Sequence, residues 1–520
     1  MSGTGASEAL ERLLAPFTPE KPGLAARVTV AGAAVFERYL GGADLEHGAP
    51  VTAETRFHVA SVSKQFTALA VLLEADAGRV DLEADIRAWL PELADYGAKV
   101  TVSDLVHHTG GLRDQWELMI LSGTPIDGMI RQSAIVAMAA SQKGLNFAPG
   151  TDFRYSNAGY SLLAEIVARA SGKSFDRYLD EAVFAPLGMA DTLVYGDASR
   201  LLTGRAMSYR PGRDGATRLA RLNYSNHGAT SLHSTPRDLG KWAQELIRPR
   251  VLPPTLIARM TTPGSLRDGR RLNYGFGVMR TELGGRPALT HGGADAGFRA
   301  AFDCYPDDDA SVVVLSNGSA DVGAIARALA DAFLSPREQP PVPEPPDAAA
   351  LARLAGYYAS GWGPGLTLEA ADGKLMVSGG GSGEPLEAKF LADGAFYLFA
   401  PTSSFAPTPD GNLIERQFVG GLPLLHRRAE RASPSGADLA ALAGRYRCDE
   451  IDSTYSLAAY ADGLTLSCLR LPPAKLAPAD RDAFDGPWLR LTVVRDAAGA
   501  PIGFKVATGR IRDLEFRKSD

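Results

Sequence analysis

Three short clusters carry residue types that can do covalent chemistry. Ser61-Val62-Ser63-Lys64 stands in front of a long apolar run in "FHVASVSKQFTALAVLLEADAGRV". In a helix beginning near Ser61, residues three apart share a face, so Ser61 and Lys64 would stand side by side on its first turn. A buried lysine there is pushed toward the neutral amine, and an oxyanion is favoured. The same four letters also describe an N-cap serine followed by a solvated lysine, the commoner use of such a pattern. Tyr155-Ser156-Asn157, in "FAPGTDFRYSNAGYSLLAEIVA", could bring a phenol and an amide to one side of an extended segment. His291-Gly292-Gly293, in "ALTHGGADAGFRAAF", reads as a short strand whose glycines let another backbone come close. Taken singly, these are a buried tyrosine, an asparagine cap and a loop histidine.

The elements that must hold these clusters follow from periodicity. "ARVTVAGAAVFERYLG" alternates like a strand pair, while "SKQFTALAVLLEADAG" and "NAGYSLLAEIVARASG" have helical spacing and length. "LNYGFGVMR", "PALTHGGADAG", "RAAFDCYPD" and "ASVVVLSNG" read as strands at hairpin spacing, and "VGAIARALADAFL" as a closing helix. Residues 1–335 are therefore expected to form an α+β domain with a contiguous antiparallel sheet. Dense proline in "SPREQPPVPEPPDAAALARLAG" predicts a stiff linker over 336–350. Beyond it the chain repeats itself: "LARLAGYYAS" from Leu351 returns 88 residues later as "LAALAGRYRC" from Leu439. Alternating strands and Asp-Gly turns follow each copy, which predicts two small antiparallel β-barrel domains, 351–432 and 433–520. Gly379-Gly380-Gly381 lies between two strand patterns with no helix after it and reads as a hairpin, not a phosphate cradle.

Composition narrows the function class. The 520 residues are 45% hydrophobic and 22% charged with a net charge of −6, an ordinary folded profile that lends no support to nucleic-acid binding. No run approaches the roughly 18 apolar residues of a membrane span, so no membrane partner is expected. "MSGTGASEALERLLAPF" lacks the basic start and apolar core of an export signal. Three widely spaced cysteines, Cys304, Cys448 and Cys468, suit free thiols in a reducing compartment better than a disulfide framework or a zinc site. A cytoplasmic protein is expected, with no metal and no cofactor. Exposed barrel edges make a homodimer an open option.

Taken together and in this order, SxxK, YxN and HxG resemble the signature of the penicillin-recognising serine hydrolases: β-lactamases, D,D-peptidases, the related esterases and D-aminopeptidases. "LVHHTGGL", "PGTDFRYSNAGY", "FAPLGMADT" and "GATSLHSTPRDL" are similar to the family's landmarks in their expected sequence, covering most of residues 25–335. The resemblance implies Ser61 as nucleophile, Lys64 sharing its proton, and Tyr155 or Lys64 as general base. It implies Asn157 as the residue orienting Lys64. An oxyanion hole would be formed by the backbone N–H groups of Ser61 and Ala294, beside Gly293, and the reaction would pass through an ester on Ser61. A second Tyr-Ser-Asn, Tyr224 to Asn226, lacks the preceding Pro-Gly and the following helix and is set aside.

Many family members carry a lysine where this chain has His291. A histidine is mostly neutral near pH 7, which weakens the case for a carboxylate-bearing β-lactam or a D-Ala-D-Ala end. The three-domain plan resembles the D-aminopeptidases, in which the last barrel can send a loop toward the cleft. Here the segment before "PWLRLTVVRD" is compact, which puts strict aminopeptidase specificity in doubt. Asp295 and Asp114 could hold a substrate ammonium, although solvated surface carboxylates are the plainer reading of both. The expected activity is a peptidase or amidase acting on small peptides or amides, with a carboxylesterase of weak β-lactamase activity as alternative. A non-catalytic binder or sensor is the alternative from another class.

Overall fold

The structure, a computed structural model, describes residues 3–337, 346–379, 382–399 and 403–519. A six-stranded antiparallel sheet forms the backbone of the first domain. Strand β1 (Leu24–Val30) and β2 (Ala33–Leu40) form the hairpin read from the sequence. β3 (Met279–Leu283), β4 (Arg286–Asp295), β5 (Phe298–Tyr305) and β6 (Ala310–Ser316) follow late in the chain. The order across the sheet is β3-β4-β5-β6-β1-β2, so the first hairpin docks onto the last strand of the domain.

Both faces of this sheet are covered, which is why "ASVVVLS" reads as a continuous apolar run. Val312 and Val314 face α1 (Gly3–Leu14) and α5 (Val322–Phe333), packing with Leu10, Leu14, Ile325 and Leu329. Val313 and Leu315 face the other way, into the larger core around α2 (Ser63–Asp76) and α4 (Asn157–Ser171). α2 is buried nearly all round, Lys64 and Glu74 included. It is thus a central helix, and its apolar run is not one stripe of an amphipathic surface helix.

The two C-terminal sheets follow the repeat. The first has nine strands between Gly356 and Ala429; its two edge strands, Ser382–Glu387 and Lys389–Phe390, are separated only by Ala388, so the sheet nearly closes on itself. The second is a closed eight-stranded barrel, in which Gly444–Cys448 pairs with the final strand Leu514–Ser519. Its core of Tyr446, Tyr455, Leu466, Phe504 and Phe516 extends to Leu118 and Leu121 of α3 (Gln115–Ser122) in the first domain. Residues 338–345 of the proline-rich segment lie outside the described residues. Directly after the last proline, Pro346, Asp347 accepts from the Ala350 N–H at 2.7 Å and caps a helix that starts at Ala348, inside the 336–350 segment read as linker. Gly380 and Gly381 also lie outside the described residues, between two strands that pair antiparallel with Gly379 opposite Ser382.

Candidate active site

Ser61 sits in a single 3-10 turn, Ala60–Val62, immediately before α2. The residue in front of it, Ala60, has φ of 49°. A left-handed backbone at a residue with a side chain costs on the order of 1 kcal/mol, and it persists here because the surroundings over-determine it. His58 accepts from the Ala60 N–H at 3.2 Å, and its other ring nitrogen meets Thr230 Oγ1 at 3.1 Å and the Ser231 N–H at 3.1 Å. From the far side comes β4. A side chain at Gly293 would lie 2.4 Å from the Val59 carbonyl oxygen, so glycine is what lets the strand pass this close to the turn.

Lys64 lies one turn on and is fully buried. Its Nζ is 3.2 Å from Ser61 Oγ, 2.8 Å from Asn157 Oδ1 and 2.8 Å from the Ala229 carbonyl oxygen. Burial pulls its pKa down to about 7, with Asp114 partly opposing and Arg510 adding to the fall. Asn157 opens α4 behind the N-cap Ser156, so the asparagine is the first helical residue and its side chain is free to reach Lys64.

Asp114 is not the solvated carboxylate expected of it. It is fully buried, and its Oδ2 accepts from both the backbone N–H and the side-chain amide of Asn157 at 2.8 Å. Its Oδ1 accepts from the Trp116 N–H at 3.0 Å at the start of α3. The carboxylate orients Asn157, with the amide oxygen turned to Lys64, and is engaged on both oxygens. Asp295, the other acidic candidate, is half-buried in the cavity wall, and accepts from Thr230 Oγ1 at 2.8 Å. Burial pushes its pKa up to about 6, against the hydrogen bonds from Thr230 and Tyr224.

Tyr155 packs its ring 4.8 Å from Lys64 Nζ and 4.3 Å from the ring of His108. Burial pushes its phenol well above the usual range, only partly offset by Ser61 and Arg510. His108 anchors this segment: its Nδ1 accepts from the Ser156 N–H at 3.1 Å and its carbonyl from the Arg154 N–H at 3.0 Å. Tyr224, the tyrosine set aside, also lines the cleft, stacked on Trp116 at 4.7 Å and bonded to Asp295 rather than placed beside Lys64.

His291 lies in the cavity wall but is 3% exposed, and both ring nitrogens are taken. Nδ1–H donates to the Gly292 carbonyl at 2.7 Å and Nε2 accepts from the Tyr274 hydroxyl at 3.0 Å. Burial, then the charge of Lys64, lowers its pKa to about 3, so the ring is neutral across the working range. Gly293 and Ala294 line the same cavity. β3 begins at Met279, opposite Thr290, leaving His291 to Asp295 without a strand on that edge among the described residues.

Ser63 points elsewhere. Its Oγ accepts from the Leu232 N–H at 3.1 Å, in the packing between α2 and the strand Leu232–Ser234.

The cleft is a cavity of about 980 Å³ lined by Ser61, Tyr155, Asn157 and His291 among others. Its rim comes from all three domains. The nine-stranded sheet contributes Glu415, Gln417, Phe418 and Val419, held by Asn273, whose side chain donates to the Phe418 carbonyl at 2.7 Å. The barrel contributes Gly509 and Arg510, from the turn between Pro501–Ala507 and Leu514–Ser519. That turn is pinned by Asn146, which donates to the Arg510 carbonyl at 2.9 Å and accepts from the Arg512 N–H at 2.8 Å. Glu117 accepts from the Arg510 N–H at 2.8 Å and from Thr508 Oγ1. The last barrel therefore reaches the cleft through this short turn, not through the segment before "PWLRLTVVRD".

Residues 10–334 match the Beta-lactamase family model. The chain belongs to the beta-lactamase family of penicillin-recognising serine hydrolases. A D-aminopeptidase of Gluconobacter oxydans (strain 621H) is 30% identical over 438 residues, 83% of this chain and 80% of that protein. A D-aminopeptidase of Brucella ovis is 27% identical over 536 residues, 97% of each chain. Among solved structures, the octameric penicillin-binding protein homologue from Pyrococcus abyssi superposes with a TM-score of 0.59 at 21% identity, covering 82% of this chain and all of that one. These likenesses agree with the family resemblance read from the sequence. The arginines of the cleft and the His58–Thr230 support carried no such signal in the sequence.

Proposed function

We propose that this beta-lactamase family member is a peptidase or amidase that hydrolyses small amine-bearing peptides or amides, D-configured as in the D-aminopeptidase relatives, through an ester on Ser61. The observation that carries the reading is the bonding of Lys64. A neutral amine has two hydrogens and one lone pair. The two short contacts, to Asn157 Oδ1 and the Ala229 carbonyl, take the hydrogens and leave the lone pair toward Ser61 Oγ at 3.2 Å. With its pKa near 7, Lys64 is poised to accept the Ser61 proton. Tyr155, held protonated by burial, is suited to relay a proton and not to act as the first base.

In acylation Lys64 takes the proton as Ser61 Oγ bonds to the carbonyl carbon. When the C–N bond breaks, a proton passes from Lys64 by way of the Tyr155 hydroxyl to the departing nitrogen. Water then attacks the ester, releasing the acid and restoring the Ser61 hydroxyl. Ser61 N–H and Ala294 N–H, from the turn and the open edge of β4, are the proposed donors to the oxyanion, each worth a few kcal/mol. Asp295, ionised above about pH 6 and facing the cavity, is the proposed acceptor for the substrate ammonium. The proposal includes a cytoplasmic location, supported by the three unpaired cysteines.

A panel of D-amino-acid amides, L-amino-acid amides, nitrophenyl esters and nitrocefin tests the reading. The D-amides are expected to have the highest kcat/KM, and Asp295→Asn to raise their KM more than that of the esters. Preference for the esters or nitrocefin over every amide would contradict it.

A further inference from the structure

Two guanidinium groups line the cleft without an anion hydrogen-bonded to them. Arg154 stands next to Tyr155 in the chain, and its guanidinium lies 3.9 Å from the ring centroid of Trp362, between the strands Gly356–Ala359 and Leu366–Ala371 of the nine-stranded sheet. Arg510, from the barrel, lies 5.1 Å from the ring centroid of Tyr155. Neither side chain makes a hydrogen bond among the described residues, and Arg154 Nε is buried without a partner. The Arg510 side chain is 41% exposed, and its nearest carboxylate oxygen, Asp114 Oδ2, is 3.8 Å away.

The acidic groups around the pair are already committed. Asp114 holds Asn157, Glu117 holds the Thr508 hydroxyl and the Arg510 N–H, Glu415 meets His426 Nε2 at 2.9 Å, and Asp152, whose charge acts on Arg154, accepts from the Phe153 N–H at 2.8 Å. Two cations lining one cavity, held by stacking and by main-chain bonds and making no side-chain hydrogen bonds, repel one another. That arrangement is stable and useful when an anion enters between them, since guanidinium groups receive carboxylates in a fixed fork geometry.

Their position decides which part of a substrate they meet. Arg510 covers the ring of Tyr155, the residue that hands the proton to the departing nitrogen, so both arginines look onto the leaving-group side. The proposed ammonium acceptor Asp295 lies at the end of β4. His291, neutral and internally bonded, supplies no cation there. We propose that Arg154 and Arg510 form a carboxylate-binding subsite for the leaving group, so that the preferred substrates are short peptides with a free C-terminal carboxylate and not their amides. This rests on the peptidase reading above and adds the chemistry of the departing end.

The test separates binding from turnover. With the Ser61→Ala protein, isothermal titration calorimetry of D-alanyl-glycine and D-alanyl-glycinamide is expected to give about tenfold tighter binding for the free acid. Arg510→Gln and Arg154→Gln should each reduce that ratio several-fold, while Arg510→Lys keeps most of it; circular dichroism checks that each variant is folded. Equal binding of acid and amide, no measurable binding of the acid, or a ratio unmoved by both glutamine variants, overturns the subsite. Failure of the peptidase reading shows separately, as no release of glycine or glycinamide by the unaltered enzyme.

Discussion

Two cations flank the ring of Tyr155, and their environments give them opposite roles. Lys64 lies 4.8 Å from the ring centroid, sealed in the first domain with an acceptor for every hydrogen. Arg510 lies 5.1 Å from it, delivered by the third domain, with its side chain partly open to the cleft, making no hydrogen bond among the described residues and meeting only the Asp114 carboxylate at 3.8 Å. Burial brings the lysine to the edge of losing its proton, whereas a guanidinium keeps its charge in any protein setting. One position therefore suits a base and the other an anchor. The first is built by elements of one domain, the second only when three domains meet.

Removing the base should have the largest effect. Lys64→Met is expected to lower kcat by about 10³-fold or more with the fold intact, as loss of one member of an interdependent nucleophile and base pair does. Steady-state kinetics on the best amide of the panel reads this. Next comes the orienting carboxylate. Asp114→Asn is expected to cost about 10- to 100-fold in kcat, because Asn157 loses the partner that turns its amide oxygen to Lys64. The same change removes a negative charge from beside Lys64, so the acid limb of kcat/KM should move to lower pH.

The pH profile sharpens the contrast further. A base with a pKa near 7 is fully competent above that value and is lost as pH falls, so kcat/KM should fall about tenfold per unit below pH 7. Arg510→Gln removes a cation that disfavours the lysine's charge, and the limb should move up by a fraction of a unit. A limb that stays fixed in both variants would separate Lys64 from the ionisation being read. The smallest effect belongs to Ser63→Ala, expected to leave kcat within a few-fold and to cost about 1 kcal/mol in denaturant unfolding through the bond lost to the Leu232 N–H.

The part of this site that was legible in the sequence is local or carried by order. Ser61 and Lys64 are three residues apart at a helix start, Tyr155 and Asn157 two apart, and the landmarks between them belong to one domain. Asp114 is legible as a carboxylate, but only the packing of α3 against the start of α4 buries it under Asn157. Arg510 lies almost 450 residues beyond Ser61, in a turn with no motif, and the sequence held no clue to which turn of the barrel would dock. The strands and helices of the first domain, and the two β modules behind the 88-residue repeat, follow from hydrophobic periodicity. The near closure of the first module and the closure of the second depend on strand pairings between distant residues, which periodicity does not encode.

The central claim, that Ser61 carries the acyl group, is tested most directly on one peptide. After reaction with a fluorophosphonate, tryptic cleavage at Arg56 and Lys64 releases Phe57 to Lys64, which contains both Ser61 and Ser63. Tandem mass spectrometry of that peptide is expected to place the adduct on Ser61, and the Ser61→Ala protein to remain unlabelled. An adduct on Ser63 or outside this peptide, or unchanged labelling of Ser61→Ala, would contradict the account.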